Sequence, residues 1–335
     1  MRVAVLGAGS WGTVIASMAS AGAMTTLWAR EPEVVEAIEQ RHENETFLPG
    51  FALPEPLRAT NDLEEAVRDA EVVAIAVPSR YFRGVAEQAA PFVPPGAVVV
   101  SVTKGLEPGR SKRMSEVLDE VWGVDPGQVC VLSGPNLARE VMAGQPSATV
   151  VASRDADRAG VLQRLFMSDS MRVYTNPDVV GCEVGGAVKN VLAIGAGIGD
   201  GLGFGWNTKA ALITRGLAEL ARFGVVLGGE PLTFLGLAGN GDLIATCSSP
   251  QSRNRHVGEE LGRGRGLDDV TAEMRMVAEG VGTARPLVEL ARQVGVDMPI
   301  CENVAAVLEG HLSPSDVVPS LMRRAAQSEL RGLVD

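Results

Sequence analysis

The chain begins with an apolar run that leads directly into glycines: residues 3–12 read VAVLGAGSWG. Gly7, Gly9 and Gly12 form the pattern GxGxxG between a predicted strand and a predicted helix. In dinucleotide-binding folds the first glycine permits a sharp turn, the second lets the backbone approach a pyrophosphate, and the third allows close helix–strand packing. The phosphates bind at the helix N-terminus, where free N–H groups and the helix dipole favour anions. The alternative is a tight turn that binds nothing.

The first half of the chain alternates apolar runs with helical patterns, which predicts an α/β fold with a doubly wound parallel sheet. The apolar runs are rich in valine and isoleucine and mostly continuous, as in strands that are covered on both faces. The predicted strands are Val3–Leu6, Thr25–Ala29, Val72–Val77, Val98–Val102, Val129–Leu132 and Ala148–Ala152. Predicted helices between them include Thr13–Ala21, Leu63–Asp69 and Ser115–Val121.

From Val179 onward the apolar residues recur at helical spacing without a clear strand, which predicts an all-helical domain. The predicted helices are Val184–Ile198, Thr208–Arg222, Val270–Glu279, Ala284–Val294 and Pro299–Glu309. The chain has 335 residues, and single cores stop growing at roughly 250–300 residues. We therefore predict a Rossmann domain over residues 1–178 and a helical substrate-binding domain over residues 179–335.

The composition limits the classes of function. A formal net charge of -11 argues against a nucleic-acid or anionic-membrane binder, although local lysines and arginines could still hold a phosphorylated substrate. The four cysteines are scattered, which argues against a disulfide framework or a zinc site and favours a reduced, cytoplasmic setting. The sequence has no secretory signal pattern and no uninterrupted apolar run of ~18 residues, so we expect neither export nor stable membrane insertion. We expect no bound metal.

The end of the second predicted strand bears on the cofactor. An acidic side chain there would bind the ribose 2′-hydroxyl of NAD, whereas an arginine accommodates the 2′-phosphate of NADP. Arg30 occupies this position and favours NADP(H), while Glu31 beside it leaves NAD(H) possible. The other interpretation of Arg30 is a solvated charge.

Two polar clusters follow predicted strands of the first half. Lys104 lies just beyond the carboxyl end of one strand, where ligands of open α/β sheets collect. Gly134 lies in the loop 133–140 after the next strand, and its neighbours could present backbone N–H groups to a cofactor. Each cluster alone is equally compatible with an ordinary turn.

Two further clusters lie in the helical half. Lys189 has small and apolar neighbours, so it must reach solvent, pair or face a cleft. Arg253, between Ser252 and Asn254, offers donors suited to a phosphate. Asp242 could hold an ammonium group or accept from a substrate hydroxyl. Taken separately, these are also ordinary loop and surface residues.

Together these stretches resemble the bacterial NAD(P)-dependent glycerol-3-phosphate dehydrogenases, in the same order over nearly the whole chain. The matching stretches are Gly7–Gly12, Lys104–Glu107, Ser133–Pro135, Glu183–Leu192, Asn207–Leu212, Gly239–Asp242, Ser252–Asn254 and Glu279–Gly280. The resemblance implies a Rossmann domain and a 6-phosphogluconate-dehydrogenase-like helical domain, with the active site in the cleft between them. Departures from the family pattern are Glu31, where a second basic residue is common, and Asn136 and Val14.

The resemblance also implies the reaction, which interconverts dihydroxyacetone phosphate and sn-glycerol 3-phosphate for glycerophospholipid synthesis. Lys189 is the implied proton-transfer residue. The implied substrate contacts are Lys104, Gly134, Asp242, Ser252, Arg253 and Asn254. The implied cofactor contacts are Gly7, Gly9, Ser10, Trp11, Gly12, Arg30, Lys104, Ala138, Arg253, Val277 and Glu279. A lysine of ordinary pKa, about 10.4, would make the oxidation improve at alkaline pH.

Two alternatives stay open. Another Rossmann-plus-helical dehydrogenase would act on a hydroxy acid or sugar acid and would need a carboxylate site. A non-catalytic NAD(P) sensor would use its helical half to bind a partner, and would leave the lysines and Arg253 without a role. The apolar helical surface makes a homodimer plausible.

Overall fold

The structure is a computed structural model that describes residues 1–124 and 129–325. The chain packs into two units. Of the described residues, the first contains those of Met1–Thr103 and Arg113–Val179, and the second contains Lys104–Lys112 and those from Val180 onward. Residues 104–112 therefore pack with the second unit, although the chain on both sides of them belongs to the first.

One eight-stranded sheet organises the first unit. Its strands are β1 (Arg2–Leu6), β2 (Met24–Trp28), β3 (Arg58–Thr60), β4 (Val72–Ile75), β5 (Val98–Ser101), β6 (Val129–Ser133), β7 (Ser147–Ala152) and β8 (Met171–Asn176). Their order is β3-β2-β1-β4-β5-β6-β7-β8. The strand order reverses at β1, which pairs with both β2 and β4. In open α/β sheets this point of reversal, at the carboxyl ends of the strands, is where ligands bind.

Helices cover both faces of this sheet, as predicted for a doubly wound fold. They are α1 (Ser10–Ser20), α2 (Pro32–Arg41), α3 (Leu63–Val67), α4 (Ser79–Ala89), α5 (Met114–Trp122), α6 (Ala138–Met142) and α7 (Ala156–Phe166). One apolar core includes Ile15 and Leu162, and a second includes Phe82 and Leu118. Both faces of the sheet are therefore buried, which explains why its strands consist mainly of continuous apolar runs.

The sheet departs from the predicted parallel arrangement at one pair of strands, because β6 and β7 pair antiparallel. A parallel connection needs a crossover of a dozen or more residues, usually through a helix that packs on the sheet face. The connection from β6 to β7, residues 134–146, is long enough for such a crossover, but its helix α6 has only five residues and none of them is buried. Strands β3 and β8 were not predicted. The first has three residues, and in the second buried and exposed residues alternate over its first four positions.

All the secondary-structure elements in the described part of the second unit are helices or helical turns. Its helices are α8 (Val179–Gly201), α9 (Trp206–Val226), α10 (Pro231–Leu235), α11 (Asp242–Ser248), α12 (Arg253–Gly262), α13 (Leu267–Glu273), α14 (Glu279–Gln293), α15 (Pro299–Leu308) and α16 (Val317–Met322). A π-helical turn, Leu237–Gly241, leads into α11, and a 3-10 turn, Pro314–Asp316, precedes α16. The all-helical prediction for this part of the chain is confirmed.

Helix α8 forms the centre of this unit. Among the described helices it is the one long and apolar enough to cross a membrane by length and composition, but its apolar stretch is entirely buried inside the protein. A Cβ atom at Gly197 would lie 2.0 Å from the carbonyl oxygen of Arg255, and one at Gly258 would lie 2.0 Å from that of Ile194. The backbones of α8 and α12 are therefore in direct contact, and this contact fixes the position of α8.

A buried carboxylate caps helix α15 from a distance in sequence. Pro299 begins the helix, and the next two N–H groups, those of Ile300 and Cys301, donate to Glu219 of α9 at 2.8 Å and 3.3 Å. The first N–H groups of a helix have no partner within the helix, and the helix dipole favours negative charge there. Glu219 supplies an acceptor to each of these two N–H groups.

The predicted helix Val270–Glu279 is wrong in its second half, because α13 ends at Glu273 and α14 begins only at Glu279. Side chains of α12 bond to the backbone around this interruption. Arg253 donates from Nη1 to the carbonyl oxygen of Val277 at 2.9 Å, and the N–H of Gly280 donates to Oδ1 of Asn254 at 2.9 Å. Tertiary hydrogen bonds thus replace helical ones in this segment.

Candidate active site

Three charged side chains meet inside the second unit. The carboxylate of Asp242 accepts from Nζ of Lys189 through Oδ1 at 2.6 Å and from Nζ of Lys104 through Oδ2 at 2.7 Å. The side chain of Asp242 is 2% exposed, and that of Lys189 is 8% exposed. Two positive charges therefore share one buried negative charge, so the cluster carries a net positive charge.

Thr246 completes the surroundings of the Lys189 ammonium group. Its Oγ1 accepts from Lys189 Nζ at 2.7 Å and donates to the backbone oxygen of Asp242 at 2.6 Å. A lysine ammonium group has three N–H donors. Two of them are used here, and within the part of the chain that the structure describes the third has no partner. The ammonium group is thus held in place with one donor available for a ligand.

This environment brings the pKa of Lys189 close to neutrality. Burial lowers the pKa to about 8, since Asp242 only partly opposes the effect and the neighbouring charge of Lys104 adds to it. Burial alone would raise the pKa of Asp242, but the two ammonium groups outweigh it and hold that pKa below its ordinary value. Lys189 is therefore a side chain that can both give and take a proton near pH 8, beside a carboxylate that stays ionised.

Two asparagines connect this cluster to the interruption between α13 and α14. Asn190 donates from Nδ2 to the carbonyl oxygen of Lys104 at 2.9 Å, and its Oδ1 accepts from Nδ2 of Asn254 at 2.9 Å. Asn254 in turn accepts from the N–H of Gly280. This chain of amides fixes the backbone at Lys104 relative to α8 and α12.

Arg253 lies beside this chain of amides, on the first residue of α12. Ser252 caps the helix by accepting from the N–H of Arg255 at 3.2 Å, so its hydroxyl has a structural role in this arrangement. Arg253 itself is exposed and bonds to the backbone of Val277. A guanidinium group has five donors in a rigid fork. The N–H donors of Arg253 that do not bond to Val277 are suited to a phosphate.

The glycine loop of the first unit, Gly7–Gly12, has the backbone geometry that its sequence predicts. Gly7 has a φ of 116°, a region that L-residues with side chains rarely adopt. A Cβ atom at Gly12 would lie 1.9 Å from the carbonyl oxygen of Gly7, so a side chain at this position would prevent the close packing of α1. A Cβ atom at Gly9 would meet no described atom within 4 Å. Gly9 therefore borders open space.

The loop fits the anionic part of a dinucleotide. Helix α1 begins at Ser10 and has no side-chain cap on its first N–H groups. The indole Nε1 of Trp11 is buried, and among the described residues it has no hydrogen-bond partner. Ser10 donates to the backbone oxygen of Phe47 at 2.6 Å. Uncapped N–H groups, an unpartnered buried donor and open space at Gly9 are the features that a bound pyrophosphate and its attached groups would use.

The other predicted residues of the first unit lie in the segments that follow β2 and β6. Arg30 follows β2 and pairs with Glu31, whose Oε1 lies 3.0 Å from Nε and 2.5 Å from Nη2 of the guanidinium group. The Arg30 side chain is 72% exposed. Gly134 follows β6 with a φ of 141°, and Ala138 is the first residue of α6. Their roles as ligand contacts stay predictions.

Sequence reasoning missed two residues of the cluster. Thr246 lies four residues after Asp242 on α11, a spacing that places both side chains on one helical face. Asn190 follows Lys189 directly and lies in the matching stretch Glu183–Leu192, but the sequence predicted no role for it. The separation of four residues was a usable signal for Thr246, whereas the partners of Asn190 become apparent only in the folded chain.

Comparisons with known proteins show which proteins this chain is similar to. A family model described as NAD-dependent glycerol-3-phosphate dehydrogenase N-terminus matches residues 2–159, and its C-terminus counterpart matches residues 178–319. The chain is 54% identical over 331 residues to the glycerol-3-phosphate dehydrogenase (NAD(P)+) of Parafrankia sp., which covers 98% of this chain and 99% of that one. A relative of the same name from Sphingopyxis alaskensis is 51% identical, with 98% of each chain covered. The crystal structure of glycerol-3-phosphate dehydrogenase from Coxiella burnetii is 37% identical, with a TM-score of 0.91, and covers 96% of this chain and 99% of that one.

Proposed function

Because this chain belongs to the NAD-dependent glycerol-3-phosphate dehydrogenase family, we propose that it interconverts dihydroxyacetone phosphate and sn-glycerol 3-phosphate with NAD(P)(H). The observation that carries the proposal is the buried ammonium group of Lys189, held between Asp242 and Thr246 with a pKa of about 8. We also propose that the reaction takes place in the cytoplasm, where its product serves glycerophospholipid synthesis.

The chemistry requires one hydride and one proton. The nicotinamide, when bound, supplies the hydride to the ketone carbon during reduction. Lys189 donates a proton to the ketone oxygen, and before that its positive charge stabilises the developing alkoxide. In the oxidation Lys189 must be neutral so that it can take the proton from the substrate hydroxyl. Asp242 and Thr246 hold the Lys189 amine in place through both half-reactions.

Local positive charge supports a phosphorylated substrate in a protein whose net charge is -11. The two positive charges of Lys104 and Lys189 exceed the single negative charge of Asp242, with which both of them pair. Arg253 adds an exposed guanidinium group suited to bidentate contacts with phosphate oxygens. We propose that Arg253 binds the phosphate and that Lys104 neutralises charge near both ligands.

For the cofactor we propose a preference for NADP(H) over NAD(H). The support is Arg30 at the end of β2, the position from which an arginine reaches a 2′-phosphate. Its ion pair with Glu31 competes with that phosphate, so NAD(H) remains usable. Arg30→Ala should raise the KM for NADPH and leave the KM for NADH nearly unchanged. Equal changes for both would contradict the proposed role of Arg30.

The decisive assay follows the oxidation of NADPH or NADH with dihydroxyacetone phosphate and, in parallel, with a panel of keto acids. We expect turnover with dihydroxyacetone phosphate alone. Turnover confined to a keto acid would support a hydroxy-acid dehydrogenase instead. Binding of the dinucleotide without turnover of any substrate would support a sensor.

A further inference from the structure

One peptide group of the glycine loop is held by a side chain from outside the loop. Nδ2 of Asn44 donates to the carbonyl oxygen of Ala8 at 2.9 Å, and Oγ1 of Thr13 donates to the same oxygen at 3.2 Å. Asn44 is 1% exposed and lies just beyond α2, far from the loop in sequence. All of these residues belong to the first unit.

The orientation of the Asn44 amide is fixed by its partners. Its second N–H donates to Oγ1 of Thr13 at 2.9 Å, and its Oδ1 accepts from the N–H of Phe47 at 3.1 Å. A carbonyl oxygen can only accept and a backbone N–H can only donate, so a flipped amide would oppose like atoms at both positions. Both polar atoms of this buried side chain are therefore committed, Nδ2 to two acceptors and Oδ1 to one donor.

Holding the Ala8 carbonyl also fixes the N–H of Gly9. The peptide group is planar and trans, so its C=O and N–H point in opposite directions. With the Ala8 oxygen held toward Asn44, the Gly9 N–H points away from Asn44. An anion is attracted to an N–H group and repelled by a carbonyl oxygen, so the orientation of this peptide decides whether the loop attracts a pyrophosphate.

We propose that Asn44 is a positioning residue for the dinucleotide, because it keeps the Ala8 carbonyl turned away from the pyrophosphate and the Gly9 N–H available to it. The inference rests on the proposed function only for the identity of the ligand as NAD(P)(H). The segment around Phe47 takes part in the same arrangement, because Ser10 of α1 donates to its backbone oxygen.

The test uses Asn44→Leu, which removes the amide without adding charge. Dissociation constants for NADH and NADPH are measured by fluorescence titration of the full-length protein, together with kcat and KM for the substrate. We expect both dissociation constants to rise by the same factor, about tenfold or more, as for the loss of buried hydrogen bonds. The kcat at saturating cofactor and the KM for dihydroxyacetone phosphate should stay within about twofold.

The matched control is Asn303→Leu. Asn303 also donates from Nδ2 to a backbone oxygen, that of Pro299 at 2.7 Å, but it lies in α15. The Asn303→Leu substitution should lower the melting temperature without changing the affinity for either dinucleotide. Unchanged affinity in Asn44→Leu, with only a lower melting temperature, would overturn the proposal. So would a loss confined to NADPH, because the pyrophosphate is common to both cofactors.

A second variant keeps the inference testable if Asn44→Leu does not fold. Thr13→Val removes one donor from the Ala8 oxygen and one acceptor from Asn44, and we expect both dissociation constants to rise by roughly threefold. An unchanged affinity in this folded variant would also overturn the proposal. Because binding is measured without a second substrate, absent turnover of dihydroxyacetone phosphate would contradict the proposed function alone.

Discussion

Two regions of the molecule are suited to ligands for opposite reasons. One is the glycine loop of the first unit, and the other is the cluster of Lys104, Lys189 and Asp242 in the second unit. The loop works through missing side chains, since Gly9 leaves open space and Gly12 lets two backbone segments approach. The cluster works through charge, since Asp242 is shared by two ammonium groups inside the protein. The loop should therefore be sensitive to added volume, and the cluster to changes of charge and pH.

The largest effect should come from the charged region, in Lys189→Met. Without the ammonium group the reaction loses its proton donor, and a positioned acid or base contributes roughly 10²–10⁴-fold to the rate. We expect kcat to fall by about 10³-fold in both directions, with nearly unchanged affinity for the dinucleotide. Steady-state kinetics in each direction measure this. A kcat close to that of the wild type would exclude the proton-transfer role.

Lys209→Met is the control for that variant. Lys209 also pairs with an aspartate, the half-buried Asp200, with Nζ 2.7 Å from the nearer carboxylate oxygen. It has no place in the proposed reaction. We expect Lys209→Met to lower the melting temperature and to leave kcat within about threefold, as for an ion pair of structural value only.

Gly9→Ala tests whether added volume in the loop weakens dinucleotide binding. Gly9 has a φ of -63° and a ψ of 173°, which alanine adopts without strain, and its added methyl group would meet no protein atom within 4 Å. The melting temperature should therefore not change. A bound dinucleotide would meet the methyl group, and we expect its affinity to fall by roughly 5- to 100-fold, the range for overpacking a close contact.

Gly22→Ala is the matched control for Gly9→Ala. Its methyl group would also meet nothing within 4 Å, and it lies beyond the other end of α1. Its affinity for NADH should equal that of the wild type. If Gly9→Ala behaved like this control, the pyrophosphate could not approach Gly9.

The response to pH should separate the two regions more finely. With a Lys189 pKa of about 8, the rate of oxidation should rise up to about that pH, where the amine becomes neutral, and the rate of reduction should fall above it. Dinucleotide affinity should change little over the same interval. Lys104→Met removes a charge that lowers the Lys189 pKa, so the midpoint should move to higher pH. A midpoint near the ordinary lysine value in the wild type would contradict this assignment.

The smallest effect should come from Glu31→Gln. The exposed pair of Arg30 and Glu31 is screened by solvent, and such pairs are worth little. Releasing Arg30 from its carboxylate partner should increase the preference for NADPH over NADH by roughly 2- to 5-fold. The ratio of kcat/KM for the two cofactors measures it. A shift toward NADH would show that Glu31 does not compete with the 2′-phosphate.

The sequence was sufficient for elements whose pattern is local. The six apolar strands were predicted because both of their faces are buried, and the glycine spacing predicted the turn before α1. The edge strand β3 has only three residues, and β8 places Arg172 and Tyr174 in solvent, so neither has a continuous apolar run. The antiparallel direction of β7 depends on how the chain returns from β6, which no apolar pattern encodes.

The site could be predicted as residue types but not as contacts. The sequence left two roles open for Asp242, and only the fold brings Lys104 and Lys189 to the same carboxylate. The pKa of Lys189 depends on burial and on the second ammonium group, which the spacing along the chain does not reveal. The end of α13 at Glu273 likewise depends on side chains from another helix.

Glu219, which caps α15, makes the stability of the folded chain depend on pH, and its effect has the opposite sign to that of Lys189. Burial raises the pKa of Glu219 from an ordinary 4.5 to about 7, against the N–H groups of Ile300 and Cys301. The folded chain therefore keeps a proton that the unfolded chain releases, and stability falls as pH rises through that interval. The folded chain lacks the proton on Lys189 between its pKa of about 8 and the ordinary 10.5, so stability rises again there.

These two groups therefore stabilise the folded second unit least between about pH 7 and pH 8. Equilibrium unfolding at intervals from acid to alkaline pH would show a shallow minimum, whose acid slope should vanish in Glu219→Gln and whose alkaline slope should vanish in Lys189→Met. The pH at which Lys189 is equally ready to give and to take a proton is thus close to the range where proton binding contributes least to keeping its unit folded.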